Sequence, residues 1–355
     1  MSEGYWQVQN NAKVHEGPVD LDEAIISRFP PGAIVKNSEG NGRSNWNTTA
    51  RVDLDIQGSQ LSYFLKAIIS FTWPVMDIHS SSIQQRTGPD AGPMFRGEYE
   101  SMKLINKLIP DFSPTPIAWG KLENSDGYFI LFSFHDLSEG SPSIPVFTHA
   151  VSQLHTLGID MNPTGKFGFH MPTYNGTLEQ DNTWTDTWEE FYSRGMRHML
   201  KLEEEARGPS EELQQLSGPF FNKVIPRLLR PLETGGRSIK PVLLHGDLWL
   251  GNVSRQADSG NPLMFDASAF WGHHEYELAT LHLVGDDEDC IKWAQECLKS
   301  YHEHIPKSEP EGDWDDRHAL YSTRVIIHDS ALYPEKPHFR RILIEEMKKL
   351  VEKFS

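Results

Sequence analysis

Apolar and polar residues alternate strictly along Arg51-Val52-Asp53-Leu54-Asp55-Ile56, the period of a strand with one buried face. Residues 33–36, the apolar run 61–68 and the aromatic run 128–134 read as further strands. Helical periodicity takes over elsewhere: a short helix over 19–29 started by Asp20, and a longer one opening near residue 97. After 133 the pattern is almost wholly helical, over 144–157 (stopped by Gly158), 186–205, 211–229, 288–304, 314–333 and 337–354. Two short apolar runs, 242–244 and 262–265, interrupt it as strands. The order predicts an α/β (α+β) chain. A small antiparallel-sheet lobe spans residues 1–132 and a mostly helical lobe 133–355. Residues 71–93, with Ser80-Ser81-Ser82 and Thr87-Gly88-Pro89, read as a loop insertion between the third strand and its helix.

The two short strands carry the chemistry. The first ends in His245-Gly246-Asp247, Asn252 follows five residues after the Asp, and the second delivers Asp266. That order and spacing suit phosphoryl transfer from ATP with magnesium, where catalysis is mostly positioning and charge neutralisation. Asp247 would accept the proton of the attacking hydroxyl, and Asn252 and Asp266 offer the oxygen ligands a hard cation takes. His245 is expected to orient the loop, and Gly246 and Gly251 allow backbone angles other residues resist. Any one of these Asp residues alone would more simply be a turn carboxylate; the argument rests on the set. Lys66 closes an apolar strand, so its ammonium either finds a buried partner or snorkels to solvent. Glu98 and Glu100 both stand where a helix could supply that partner.

The run His245-Gly246-Asp247-Leu248-Trp249-Leu250-Gly251-Asn252, followed by Asp266-Ala267-Ser268-Ala269-Phe270-Trp271-Gly272-His273-His274-Glu275-Tyr276-Glu277-Leu278-Ala279, resembles the fructosamine kinase (ketosamine 3-kinase) family. Its members are relatives of aminoglycoside phosphotransferases and more distant kin of protein kinases. Trp249 after the Asp separates the pattern from the aminoglycoside enzymes. Lys166-Phe167-Gly168-Phe169-His170 and Asn182-Thr183-Trp184 match upstream, and the likeness covers roughly residues 40–285. It implies a protein-kinase-like two-lobed fold that uses ATP and Mg2+ to phosphorylate the 3-hydroxyl of a ribulosamine or fructosamine. The acceptor is free or carried on a lysine of a glycated protein, and loss of the unstable 3-phosphate makes the reaction a deglycation. The family's Gly-Glu pair selects Glu98 to position Lys66 against the phosphates. Backbone near Ser44 and Asn45 would cover the phosphates, and backbone around Phe132 and Phe134 would meet adenine. Trp249, Phe167, His170 and Trp184 would shape the acceptor site, although those aromatics could equally pin their loop to the core. Leu250 and Ala267 depart from the family's usual small or polar residue and Pro. A kinase acting on another amino sugar, amino alcohol or specialised metabolite, or a nucleotide-binding pseudokinase, is the alternative.

Charge and cysteine usage narrow the setting. A formal net charge of −17 disfavours nucleic acid and anionic membranes as partners. No run has the length of a membrane span, and the opening Met1-Ser2-Glu3-Gly4-Tyr5 lacks a signal-peptide pattern. Cys290 and Cys297 form neither a metal spacing nor a disulfide framework, which points to a reducing compartment, the cytoplasm. Without cysteine in the phosphate loop, a dimer disulfide-linked there is excluded, and oligomeric state is otherwise open. His273 and His274 read as structural, Glu275 and Glu277 as helix-capping acids. His328 and Asp329 fall mid-helix with no spacing that assigns them a face.

Overall fold

Successive hairpins build the first lobe: β1 (Ile34–Gly40), β2 (Thr48–Ile56) and β3 (Ser59–Ile69), then β4 (Pro116–Lys121) and β5 (Gly127–Ser133). All pairs are antiparallel, in the order β1-β2-β3-β5-β4. The computed structural model describes residues 13–44, 47–69, 91–282 and 288–354. The alternation along β2 turns Ala50, Val52 and Leu54 inward. Its turn into β3 puts Gln57 and Gly58 at positive φ (54° and 89°), the form a two-residue hairpin needs to match strand twist. The helix expected over 19–29 shrinks to the single turn Glu23–Ile26, capped by Asp22 rather than Asp20. Asp22 is held there because its carboxylate also accepts the amides of Glu123 (2.9 Å) and Asn124 (2.8 Å).

Helix α1 (Ala91–Leu108) begins earlier than its periodicity suggested, so Glu98 lies inside it rather than at its start. Residues 91–93 of the expected insertion belong to this helix, and 70–90 lie outside the described residues. The second lobe holds α2 (Ile144–Gly158), α3 (Trp188–Arg207), α4 (His274–His282), α5 (Glu288–His304), α6 (Trp314–Leu332) and α7 (Pro337–Phe354). The helix expected over 211–229 is broken into Glu211–Pro219, a π-helical turn Phe220–Val224, and Ile225–Leu229. Pro219 and Pro226 lack the amides a continuous α-helix would need there. Short strands β6 (Val242–Leu244) and β9 (Phe270–Gly272) pair with each other. β7 (Val253–Gln256) pairs with β8 (Pro262–Met264) and with Leu137–Ser138. No helix among the described residues is long and apolar enough to cross a membrane.

One hydrophobic core runs through both lobes. Ile130 and Phe132 of the sheet, Phe95, Met102 and Ile105 of α1, Phe147 and Leu154 of α2, and Trp188 of α3 all belong to it. The opposite sheet face closes a smaller core over Ala24 and Ile25. Helix α1 is therefore shared property, and its approach to the second lobe depends on Gly97. A Cβ there would sit 2.9 Å from the Pro172 carbonyl oxygen. Ser101 then accepts the Ala269 amide at 3.0 Å, tying α1 to the segment after Asp266.

Helix α6 is anchored from below. The wholly buried Arg317 guanidinium clasps Glu275 of α4 at 2.8 and 3.1 Å and donates to the carbonyls of Ser308 (2.7 Å) and Pro310 (2.8 Å). Arg317→Ala strands a buried carboxylate and is expected to cost about 3–5 kcal/mol. A denaturant midpoint equal to the parent's would contradict that anchoring role.

Candidate active site

The loop after β6 is suspended from a carboxylate on α4. Both oxygens of the fully buried Glu277 accept consecutive backbone amides, those of His245 and of Gly246 (3.0 Å). His245, also buried, donates from Nε2 to the Phe265 carbonyl (3.0 Å), and its own carbonyl accepts the Ser268 amide (2.9 Å). Gly246 has φ 82°, and a Cβ on it would collide with the Ser268 carbonyl. The loops after β6 and β8 are thereby locked together. Asp247 leaves this anchored backbone with one oxygen accepting Asn252 Nδ2 at 3.0 Å. The same amide group bonds the Asp247 carbonyl at 2.8 Å. Its nitrogen so committed, Asn252 keeps its side-chain oxygen as the atom able to bind a cation.

Asp266 stands at φ 60°, an uncommon angle for a non-glycine residue, and its carboxylate meets Lys66 Nζ. Lys66, in β3, also reaches Glu98 of α1 at 2.8 Å and is only 6% exposed. The snorkelling alternative is thus excluded. Glu100 instead pairs with Lys103 on the surface of α1 (3.6 Å). Burial works against the Lys66 ammonium, but the charges of Asp266 and Glu98 outweigh it and hold its pKa above the ordinary lysine value. Two carboxylates around one ammonium leave negative charge in excess. The Phe265 amide donates to the Asn252 carbonyl (3.1 Å), which tethers Asn252 next to Asp266, and the side-chain oxygens of these two residues are donors of the kind a divalent cation takes. Burial pushes the Asp247 carboxyl up to about 7, against the pull of the His328 charge and the Asn252 hydrogen bond.

The remaining sequence candidates divide. Ser44 lies in a two-residue strand paired with Lys13–Val14, and Asn45 lies outside the described residues. Phe132 is buried with its backbone registered against both Phe64 and Pro116, and the Phe134 amide donates to the Ser62 carbonyl (3.1 Å). The Phe134 amide is thus committed within the sheet, and the expectation that backbone around Phe132 and Phe134 meets adenine stays a proposal. Phe167 packs on Trp188 (5.6 Å between centroids) and is 2% exposed, so it pins its loop instead of lining a cleft. Trp184 stacks on the buried Trp271 (5.9 Å) but stays half-buried itself, so both the lining and the pinning role remain open to it. His170 is exposed beside the Phe169 ring (4.4 Å), and Trp249 is half-buried next to Asp247 in the loop.

Sequence reasoning missed the polar layer behind the Asp247 loop. Buried Asn175 reaches the Gly246 carbonyl (3.4 Å) and accepts the Ser268 hydroxyl, while Gln180 donates to the Ser268 carbonyl (3.0 Å). Their only signal was membership of a long Gly-, Pro- and Asn-rich segment. His328 donates to the Asn175 carbonyl (2.9 Å), and the charges of His328 and Asp329 act on Asp247, so this side of α6 faces the site. Glu275 and Glu277 stand in the first turn of α4 as expected, but their oxygens reach sideways to Arg317 and to the loop after β6. The ligand atoms of His273, His274 and Glu275 lie within 4.8 Å of one another. They are nonetheless spoken for: both imidazoles bond Ser308 and both Glu275 oxygens bond Arg317, consistent with a structural role.

A twisted antiparallel sheet with a buried Lys–Glu pair, over a helical lobe bearing Asp247, Asn252 and Asp266, defines a protein-kinase-like two-lobed fold. Residues 82–350 match the family described as Fructosamine kinase, and the chain belongs to that family. A Mus musculus ketosamine-3-kinase is 39% identical over 144 residues, 40% of this chain and 42% of that protein. A chloroplastic protein-ribulosamine 3-kinase of Oryza sativa subsp. indica is 28% identical over 242 residues, 66% of this chain and 63% of that one. The chain thus spans less than two thirds of the length of these curated relatives. A Thermobifida fusca structure named for fructosamine-3-kinase superimposes with a TM-score of 0.65 at 21% identity, covering 90% of this chain and 95% of that chain. An aminoglycoside phosphotransferase, solved with AMP-PNP and hygromycin B, gives 0.55 at 12% identity, covering 94% and 98%. These structural likenesses establish the fold.

Two measurements probe the site directly. Glu277→Gln keeps the volume but sets an NH2 against one of the two loop amides. It should lower stability by about 1–3 kcal/mol and speed hydrogen exchange at His245 and Gly246; unchanged exchange would exclude the suspension. The Asp247 carboxyl should titrate near pH 7 by 13C NMR in the ligand-free protein, against an ordinary value of 3.8. The sign follows: the carboxylate gains its proton as pH falls through about 7, so chemistry needing a base slows below that point. A midpoint at or below about 4 would remove the claim.

Proposed function

We propose that this protein is an ATP-dependent kinase of the 3-hydroxyl of ketosamines, ribulosamine or fructosamine, free or on glycated protein lysines. The observation that carries the reading is a linked set of contacts: Asn252 on Asp247, Lys66 on both Glu98 and Asp266, and the Asp266 charge felt by Asp247. Family membership and the names of the mouse and rice relatives support the ketosamine as acceptor.

Asp247 accepts a hydrogen bond from the acceptor hydroxyl and takes its proton as the oxygen bonds the γ-phosphorus. The phosphorus–oxygen bond to the β-phosphate breaks in the same displacement, and ADP leaves. Lys66, held by Glu98, turns its ammonium to the phosphate oxygens. Asn252 and Asp266 supply the oxygen ligands for magnesium. When bound, that ion neutralises charge on the phosphates. Glu277 keeps the Asp247 backbone still, so little reorganisation is asked of the loop at the moment of transfer. Decomposition of the 3-phosphate then frees the amine, which is the deglycation. Leu250, half-buried in the loop beside Trp249, and the buried Ala267 are where acceptor choice would shift toward an amino sugar, amino alcohol or specialised metabolite. The net charge and the buried free thiol of Cys297 support a cytoplasmic setting, with the chloroplast of the rice relative as the alternative.

The assay is ADP release with magnesium-ATP on a ribulosamine, a fructosamine and amino sugars. Asp247→Ala is expected to lose turnover by at least about a thousandfold while nucleotide affinity stays within about threefold. Asp266→Ala should weaken magnesium-ATP binding as well. Near-normal turnover in Asp247→Ala would remove it as base, and ATP binding without turnover on any acceptor would favour the pseudokinase.

A further inference from the structure

Behind α4 runs a file of buried polar rings whose protons are each placed by a neighbour. Trp188 Nε1 can only donate, and it does so to the Tyr321 hydroxyl at 2.8 Å. The Tyr321 proton must then go to His273 Nδ1, also 2.8 Å away. Burial, helped by the Arg317 charge, keeps His273 neutral with its pKa well below the ordinary value. Its single proton is therefore on Nε2 and is donated to Ser308 Oγ at 2.8 Å. Ser308 in turn faces His274 Nε2 at 3.1 Å, and His274 Nδ1 lies 3.3 Å from the Tyr301 hydroxyl. Tyr301 meets His155 Nδ1 at 2.6 Å. Followed in this direction, every donor has an acceptor. Reversed, the Tyr321 hydroxyl would receive two protons and have no acceptor for its own among the described residues.

The file ends at the site. With Nδ1 accepting from Tyr301, His155 carries its proton on Nε2, which lies 3.6 Å from Glu277 Oε2. That separation is a charge–dipole contact rather than a full hydrogen bond. His155 Nε2 has no other partner among the described residues. Glu277 is the carboxylate from which the His245 and Gly246 amides hang. We infer that Tyr301 and His155 are positioning residues for the catalytic loop: the ordered file aims an N–H at Glu277 and fixes the carboxylate plane in which both oxygens meet the loop. The reverse tautomer of His155 would turn a lone pair on the carboxylate and repel it. Neither residue touches substrate, and both act through Glu277.

The test uses the whole 355-residue chain. Long-range 1H–15N spectra of the imidazoles should show His155 as the Nε2–H tautomer, His273 as Nε2–H and His274 as Nδ1–H. Tyr301→Phe keeps the ring and deletes the donor to His155. It should release His155 into a tautomer mixture and speed exchange of the Gly246 amide. With magnesium-ATP and the ketosamine, kcat should fall about tenfold while KM for ATP moves by less than about twofold. His155 found as Nδ1–H in the parent, or Tyr301→Phe with unchanged kcat and exchange, would overturn the inference. Should that variant not fold, the parent tautomers still decide. Only the kinetic readout rests on the proposed phosphotransfer. A parent that turns over no acceptor would count against that reading, while the tautomer and exchange results stand or fall independently.

Discussion

Everything in this fold converges on one buried cation. Lys66 sits in the middle of a sheet, where an ammonium without partners would not be tolerated, and its partners come from two different places. Glu98 arrives on α1 and Asp266 on the loop after β8, so the pair of contacts fixes helix, sheet and second lobe relative to one another. An isolated pair of this kind gives little net stability, because desolvation offsets most of the attraction. Its worth lies in placement: the arrangement in which the charge is satisfied is also the one that brings Glu98 and Asp266 together. The shared core through α1, and the close approach allowed by Gly97, make that arrangement compatible with packing.

The loop that carries Asp247 obeys the same logic with the opposite sign. Glu277 is a buried anion, and it is satisfied by backbone amides of the very residues that precede Asp247. Since Gly246 admits no side chain and His245 bridges to Phe265, the loop has few ways to move. Asp247 therefore stands on a stiff support, yet in surroundings that raise its carboxyl toward neutrality. In the proposed phosphotransfer, a base poised near the working pH and held in place is what proton abstraction in the transition state would favour.

The sequence made this legible where chemistry and periodicity coincide. The strict alternation of 51–56 became β2, the apolar runs before Asp247 and Asp266 became β6 and β8, and the bounds of α7 at 337 and 354 were readable from its pattern. Lys66 in an apolar strand announced a partner because burial demanded one. What stayed hidden depended on tertiary context. Asp22, not Asp20, caps the first helical turn because distant amides of Glu123 and Asn124 compete for it. Glu275 and Glu277 look like capping acids in one dimension, and only the fold shows that they reach Arg317 and the loop. Phe167 carries the same letters whether it lines a cleft or pins a loop, and only the fold shows it buried on Trp188. Asn175, Gln180 and His328 act through hydrogen bonds across long sequence separations, which no local pattern encodes.

The most direct measurement of the central claim is 31P NMR of the product formed from magnesium-ATP and a ribulosamine labelled with 13C at carbon 3. The account predicts a phosphomonoester whose phosphorus couples to that carbon, appearing with ADP and then giving way to inorganic phosphate and free amine. ATP left intact, or phosphorus on a different oxygen of the sugar, would contradict it.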